Sequence, residues 1–172
     1  MKASRLKPAV EDGGSVRVRR AATTDCGQLI DLIRAHARYE DSSATLTSET
    51  LSGLLSAADP PIEILVASCD DRVLGYAAMT YDFSLWRAHL WAHLDCLFVT
   101  ENSRGMAVGR KLFDSALLRA DEKGADRLEW QTPAWNDGAV RFYRRLDVLE
   151  CPKLRFAKEL AGSAGALVRE VP

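Results

Sequence analysis

Between Arg104 and Arg110 the chain reads Arg-Gly-Met-Ala-Val-Gly-Arg, a run of small residues leading into a helical stretch. From there apolar residues recur at Val108, Leu112, Phe113, Ala116, Leu117 and Ala120, while Arg110, Lys111, Asp114 and Arg119 fall elsewhere. That 3.6-residue stripe predicts a helix packing one side onto a sheet. The first turn of a helix leaves backbone N–H groups without intrahelical acceptors and carries partial positive charge. Gly105, Ala107 and Gly109 bare those groups to a ligand, so the stretch reads as an anion site, most naturally for a pyrophosphate. A P-loop needs Gly-Lys-Ser/Thr to hold Mg²⁺, whereas Gly109 is followed by Arg110-Lys111-Leu112. A dinucleotide fold needs G-x-G-x-x-G early in a repeated βαβ array, and neither is present.

The elements around the loop follow from pattern. Just upstream, Leu94-Asp95-Cys96-Leu97-Phe98-Val99 suits a buried strand, and Asp95 is a carboxylate at its apolar centre, costly there unless partnered or put to use. Residues 1–15 read as a mobile leader. Val16 to Arg20 alternates as a first strand, and Thr23-Thr24-Asp25 then offers an N-cap for a helix with Leu29, Ile30, Leu32, Ile33 and Ala37 inside, ending near Arg38-Tyr39-Glu40-Asp41. Leu46-Thr47-Ser48-Glu49 opens a second helix carrying Leu51, Leu54 and Leu55, stopped by Asp59-Pro60-Pro61. A hairpin follows: Ile62 to Ser68, a turn at Cys69-Asp70-Asp71-Arg72, and Val73 to Tyr81, with Gly75 marking a bulge or close approach. Leu90 to Val99 is the central strand, Arg127 to Thr132 another, Asp137 to Leu146 a short helix, and Leu154 to Leu160 a last strand before the 161–172 tail. The order β-α-α-β-β-β-α-β-α-β predicts a single α/β domain over 16–160.

Composition bounds the function. The 172 residues are long enough for a real core, and 47% hydrophobic content marks a globular chain. Twenty-three basic and twenty-four acidic side chains leave a net charge of −1, so no global field draws nucleic acid or an anionic membrane. The four cysteines, Cys26, Cys69, Cys96 and Cys151, form no C-x-x-C pair, which argues against zinc and redox motifs and for a reduced state in a cytoplasm. No apolar run approaches the roughly 20 residues of a membrane span, and the N-terminus lacks the apolar core of a signal peptide. His89 and His93 would sit about 13 Å apart on a strand, too far for one ion, so no metal is expected.

The stretch from Leu94 to Arg110 resembles the pyrophosphate loop of the GNAT acetyltransferase superfamily, Arg/Gln-x-x-Gly-x-Gly/Ala after a strand of the form Leu-Glu/Asp-x-Leu-Phe-Val. Arg104 and Gly109 match, and Ala107 stands at the first glycine. Within that superfamily the chain looks most like the diamine acetyltransferases of the spermidine/spermine group, through Arg38-Tyr39-Glu40, Leu46-Thr47, Gly75-Tyr76-Ala77, Tyr81-Asp82 and Ala134-Trp135-Asn136 leading to Phe142-Tyr143-Arg144-Arg145. The resemblance implies a mixed, mostly antiparallel sheet flanked by helices, acetyl-CoA as co-substrate, a small amine as acceptor and a homodimer. Relatives tend to have Gly after the Arg-Arg that follows the tyrosine, where this chain continues Leu146-Asp147.

Acetyl transfer to an amine poses two proton problems. A primary amine of pKa about 10 must lose a proton before it attacks, and a departing thiolate must gain one. The resemblance puts Asp95, one methylene shorter than the family's usual Glu and so acting through water, at the first task, and Tyr143 at the second. It also assigns cofactor binding to Leu97, Phe98, Val99, Arg104, Gly105, Met106, Ala107, Val108, Gly109, Arg110 and Asn136. Backbone groups of Leu97 and Val99 would pair with pantetheine amides like an added strand, and one of their N–H groups would stabilise the tetrahedral oxyanion. Tyr39, Glu40, Asp82 and His93 are the acceptor-side candidates, acidic and aromatic groups suited to a cationic amine. The implied activity is N-acetylation of a polyamine or diamine by direct transfer in a ternary complex. Other amines (an amino acid, an aminoglycoside, a protein N-terminus or lysine) and a non-catalytic acyl-CoA-binding module are the rivals.

Overall fold

Five strands form one sheet in the order β1-β2-β3-β4-β5, antiparallel except where β5 lies parallel to β4, in a computed structural model that describes residues 15–158. The strands are β1 (Arg17–Arg20), β2 (Glu63–Cys69), β3 (Arg72–Ser84), β4 (His89–Val99) and β5 (Leu128–Glu129), and the α-helices are α1 (Cys26–Tyr39), α2 (Ser48–Ser56), α3 (Val108–Glu122) and α4 (Asp137–Arg144). Alternation along β2 and β3 sends Leu65, Ala67, Ala77 and Met79 to the face covered by α3, and Ile64, Val66, Tyr76 and Ala78 to the face covered by α1 and α2. Leu112, Phe113 and Ala116 of α3 fill the first side, and Leu29, Ile30 and Leu51 the second. Each fully buried Leu contributes about 1.5–3 kcal/mol of apolar burial.

Local signals explain most boundaries. Thr47 caps α2, its hydroxyl accepting from Thr50 N–H at 3.2 Å. The β2–β3 turn closes over Asp70-Asp71, with Cys69 paired to Arg72 and Asp70 at φ 51°, a conformation Asp tolerates. A Cβ on Gly75 would lie 2.5 Å from the Phe98 carbonyl oxygen, so this glycine is a close approach between β3 and β4, where it pairs with Val99. Buried Glu63 accepts from Arg119 Nε at 2.7 Å and Tyr81 Oη at 3.0 Å and lies 3.3 Å from Arg20 Nε, tying β1, β2, β3 and α3 together.

Four expectations change. The segment after Arg144 adds no strand among the described residues: Leu154 and Phe156 are 85% and 87% exposed, because alternation alone cannot make a strand without an edge to join. The expected strand over Arg127–Thr132 shrinks to Leu128–Glu129, since β5 diverges from β4 after two paired positions. Leu117 is 43% exposed, sitting roughly 100° around the helix from the centre of the buried stripe. Asp25 does not cap α1. It closes a 3₁₀ turn instead, accepting from Ala22 N–H at 2.8 Å and from both Arg19 guanidinium nitrogens at 2.6 and 2.8 Å. The Arg19 guanidinium lowers the Asp25 carboxyl below its ordinary pKa, so its contribution to stability is present above the unfolded carboxylate range and is lost as pH falls through the folded value. The leader and the 161–172 tail lie outside the described residues, as do Glu159 and Leu160 of the expected last strand.

Gly75→Ala is expected to force β3 and β4 apart at a cost of about 2 kcal/mol. Thermal melting should register this as a Tm lowered by about 4–8 °C.

Candidate active site

The site begins with one extra residue in β4. Leu94 pairs with Met79 and Cys96 with Ala78, which leaves Asp95 opposite no residue of β3. The bulge slips the alternation: Ala92, Leu94, Leu97 and Val99 pack on the α3 side, whereas Cys96 and Phe98 pack on the α1 side. Asp95 is thereby exposed, which removes the cost of burying a carboxylate in the strand. Beyond the bulge β4 also loses its other neighbour, since β5 pairs only at Ala92–Leu128 and His93–Glu129. Thr100 N–H donates to Leu74 O at 2.9 Å across the β3 side, so the alternate residues Leu97 and Val99 turn their backbone groups to the open edge. There the Val99 carbonyl accepts from Arg104 Nε at 3.2 Å. Phe98 differs: its side chain is buried beside α1 and it pairs with Tyr76 of β3.

The open edge runs to the start of α3. Ala107 precedes the helix in the left-handed conformation (φ 59°), Gly105 has φ 80°, and neither a side-chain cap nor a first-turn acid occupies the helix start. The first intrahelical bond is Lys111 N–H to Ala107 O at 3.0 Å, so Val108, Gly109 and Arg110 keep N–H groups without helical acceptors. Residues 104–107 are exposed, and the Val108 side chain is buried, leaving its N–H as what it can offer. A Cβ on Gly109 would make ordinary contacts at 3.6–3.7 Å with Phe142 and Val99, so packing within the protein does not require glycine there. Arg104 lies over the Tyr39 ring at 4.9 Å, Arg110 Nε grips Asp114 at 2.7 and 2.9 Å, and Lys111 Nζ donates to Val16 O at 3.0 Å.

Three elements meet around Cys96: α4 through Tyr143, the end of α1 through Glu40, and β4 itself. Tyr143 of α4 packs against Trp130 and Phe142, each at 5.1 Å, and its hydroxyl is pushed up to about 12 by burial first, then by the charge of Glu40. Glu40, at the end of α1, thus acts electrostatically on both the α4 and β4 sides of the site. Cys96 Sγ donates to Asp95 Oδ2 at 3.4 Å, and its thiol is pushed up to about 12 by burial and then by the Asp95 charge. Asn136 is buried and caps α4, its Oδ1 accepting from Ala139 N–H at 3.1 Å and from Tyr39 Oη at 3.2 Å. Tyr39 therefore stands between Arg104 and the start of α4, next to the anion loop. His93 lies two residues before Asp95 with its ring against Trp91 at 6.1 Å. Asp82 pairs with Trp91, four residues from Asp95 along β4, or about 13 Å, so it is not brought to the carboxylate.

Sequence reasoning did not single out His36, Tyr76 or the chemical setting of Cys96. His36 Nδ1 sits 2.8 Å from Tyr76 Oη, its Nε2 is 3.4 Å from Glu40, and its ring stacks on Phe98 at 5.0 Å. The i,i+4 spacing of His36 and Glu40 was a visible signal; the contact with β3 depends on tertiary packing. No cluster of three metal-ligating side chains occurs among the described residues, and no helix among them is long and apolar enough to cross a membrane.

The open edge of β4 thus runs from the Asp95 bulge at one end to the exposed start of α3 at the other, on an α/β sandwich. The chain belongs to the acetyltransferase (GNAT) family, which matches residues 28–147. It is 28% identical to the thialysine N-epsilon-acetyltransferase of Mus musculus over 77% of this chain and 83% of that protein. It is 29% identical to a D-amino-acid N-acetyltransferase of Saccharomyces cerevisiae over 51% of this chain and 57% of that one. Among solved structures, an aminoglycoside acetyltransferase from an uncultured soil metagenomic sample, in complex with trehalose, has the same fold, with a TM-score of 0.73 and 23% identity over 84% of this chain and 96% of that one. The protein is an N-acetyltransferase of this family, whose members use acetyl-CoA.

Two substitutions separate what the fold needs from what the ligand needs. Ala107→Gly relieves the left-handed strain and should raise stability by about 1 kcal/mol in thermal melts, with CoA affinity kept or improved. Gly109→Ala should leave Tm within about 2 °C, given its ordinary contacts. Calorimetric titration should nevertheless show CoA binding weakened by about tenfold or more, a loss of about 1.4 kcal/mol where backbone meets phosphate.

Proposed function

We propose that the protein transfers the acetyl group of acetyl-CoA directly, in a ternary complex, to a primary amine of a small cationic substrate, a diamine or polyamine. The observation that carries this reading is the adjacency of the Asp95 bulge to the open half of β4, which leads to the N–H groups of α3 that lack helical acceptors. The residues suit acetyl-CoA. Val108, Gly109 and Arg110 N–H groups, with Gly105 and Ala107 keeping side chains away, would hold its diphosphate, and Leu97 and Val99 would pair with its pantetheine arm. When bound, the thioester supplies an acyl carbon activated for attack.

Asp95 accepts the amine proton, directly or through water, before attack. The N–H group of Leu97 or Val99 stabilises the charge that develops on the carbonyl oxygen. Tyr143, raised to about 12, keeps its proton at neutral pH and hydrogen-bonds the departing sulfur. Because that lies well above an ordinary thiol's pKa of about 8.5, Tyr143 stabilises the departing sulfur by donating a hydrogen bond, and the sulfur takes up the proton that the acetylated nitrogen sheds. Asp95 and Glu40 bear on one cluster, as their charges on Cys96 and Tyr76 attest, and this doubly acidic lining suits a dication. An ε-amine of the lysine-analogue type is the second reading, favoured by the similarity to the thialysine enzymes. A cytoplasmic homodimer is the setting the family likeness suggests, and light scattering tests the dimer.

Asp95→Asn should lower kcat about 10²–10⁴-fold while CoA binding persists, and Tyr143→Phe about 10²-fold, each read by free-thiol release. Unchanged kcat removes that residue from the mechanism. Wild type without turnover on any amine, yet binding CoA, makes the protein an acyl-CoA-binding module. In a panel of diamines, polyamines, thialysine, lysine and D-amino acids, diamines should give the highest kcat/KM. A larger value for any amino acid overturns the substrate assignment.

A further inference from the structure

One side chain at the end of α1 touches two other parts of the site. Tyr39 Oη donates to Asn136 Oδ1 at 3.2 Å, across 97 positions of sequence, and the Arg104 guanidinium lies over the Tyr39 ring, 4.9 Å from its centre. Trp135, the residue before Asn136, tilts against the same ring at 6.1 Å. The family resemblance implies an acceptor-side role for Tyr39, whereas these contacts lead to the anion loop and to the start of α4.

The end of α1 is a firm base for that side chain. One turn earlier His36 stacks on Phe98 at 5.0 Å, and its Nδ1 lies 2.8 Å from Tyr76 Oη, which pins the last turn to β4 and β3. The helix then closes in a Schellman motif: Asp41 is left-handed at φ 55°, its N–H donates to Arg38 O at 3.2 Å, and Ser42 N–H donates to Ala37 O at 2.8 Å. By contrast α4 is held at few points. None of its eight residues is buried, Phe142 and Tyr143 only partly so against the α3-side core, and the buried residue is its cap, Asn136. Asn136 Oδ1 accepts both from Ala139 N–H, at 3.1 Å in the first turn of α4, and from Tyr39. One atom therefore ties the start of α4 to α1, and Tyr143 follows two turns later on the same face.

We propose that Tyr39 is a positioning residue for the transfer, its hydroxyl setting the start of α4 and with it the Tyr143 hydroxyl, and its ring setting Arg104 at the mouth of the anion loop. The proposal rests on the reading in which Tyr143 bonds the departing sulfur and acetyl-CoA lies along β4. Arg104 sits between the Tyr39 and Phe98 rings, 4.9 and 5.9 Å from their centres, and its Nε donates to Val99 O at 3.2 Å. That grip fixes where the 104–107 turn leaves the open edge. The two halves of one side chain thus serve opposite ends of the site and keep them in register. A misplacement of about 1 Å can cost about 10²-fold in rate, so a hydrogen bond at the start of α4 is felt at Tyr143.

The experiment separates the halves. Tyr39→Phe removes the hydroxyl and keeps the ring, and Tyr39→Leu removes both; Tyr39 is 43% exposed, so both variants should melt within about 4 °C of wild type. Tyr39→Phe should lower kcat by about 5- to 10-fold, with the amine KM and the calorimetric Kd of CoA unchanged. Tyr39→Leu should lower kcat alike and also weaken CoA binding by about threefold. Added to Tyr143→Phe, Tyr39→Phe should slow the enzyme no further, because the hydroxyl acts through Tyr143; a merely structural role would slow both backgrounds alike. The proposal is overturned if Tyr39→Phe keeps full kcat, if its effect adds in full to that of Tyr143→Phe, or if Tyr39→Leu binds CoA as wild type does. A raised amine KM as the main effect also overturns it and returns Tyr39 to the acceptor pocket. Should Tyr143→Phe itself keep full kcat, the leaving-group reading fails and the α4 half of the proposal falls with it; a slow Tyr143→Phe beside an unaffected Tyr39→Phe sinks the positioning role alone.

Discussion

A strand hydrogen-bonded on both edges has no backbone to spare, and β4 becomes useful because it loses that saturation at one point. The unpaired residue is Asp95, and from there to Val99 no strand pairs with the edge facing away from β3. The bulge does two things at once. It turns a carboxylate out of a strand that otherwise buries Ala92, Leu94 and Phe98, and it reverses which residues direct N–H and C=O groups to the open side. A regular strand would put either the acid or the backbone donors in the wrong place. Gly75 holds this arrangement by letting β3 approach Val99 where a methyl group would strike the Phe98 carbonyl.

The electrostatics follow from that geometry. Asp95 stays in contact with water while Tyr76 is buried and Cys96 partly so, and its charge acts on both. Cys96 is the clearest case, raised to about 12 by burial and by the adjacent carboxylate, which makes it a protonated hydrogen-bonding group and rules it out as a thiolate nucleophile at neutral pH. Tyr143, raised for the same first reason, is equally fixed in its protonated form. Burial thus suits both groups to donating hydrogen bonds.

What could be read from the residues was whatever depends on short range. The α3 stripe, the Thr47 cap, the Asp70-Asp71 turn and the loop from Arg104 to Gly109 follow from spacing and residue type, and they recur in the fold. The bulge left no trace, because Leu-Asp-Cys-Leu-Phe fits an unbroken strand equally well until β3 is laid beside it. His36 reads as one more polar residue on α1, since the hydroxyl it meets is 40 positions away. Leu154 and Phe156 failed in the opposite sense: their alternation is strand-like, but a strand exists only where an edge receives it.

Glycine and its substitutes mark where fold and ligand make separate demands. At Gly75 the demand is internal, for a Cβ there would overlap backbone. At Gly109 the surroundings would accept a methyl group, so packing within the protein does not account for the glycine. Ala107 and Asp147 sit at φ 59° and 57°, where a glycine would cost less, and they flank the two ends of the site, the helix that starts the anion loop and the turn that closes α4. At Ala107 the strain is retained because the left-handed residue aims the next N–H groups outward together; relaxed to ordinary helix, the chain would carry its first turn one residue further back and re-aim the donors of Val108 and Gly109. The left-handed turn at Ala107 is therefore what sets the direction of the first α3 donors, a geometric requirement that the backbone meets even where the residue supplied is not the cheapest.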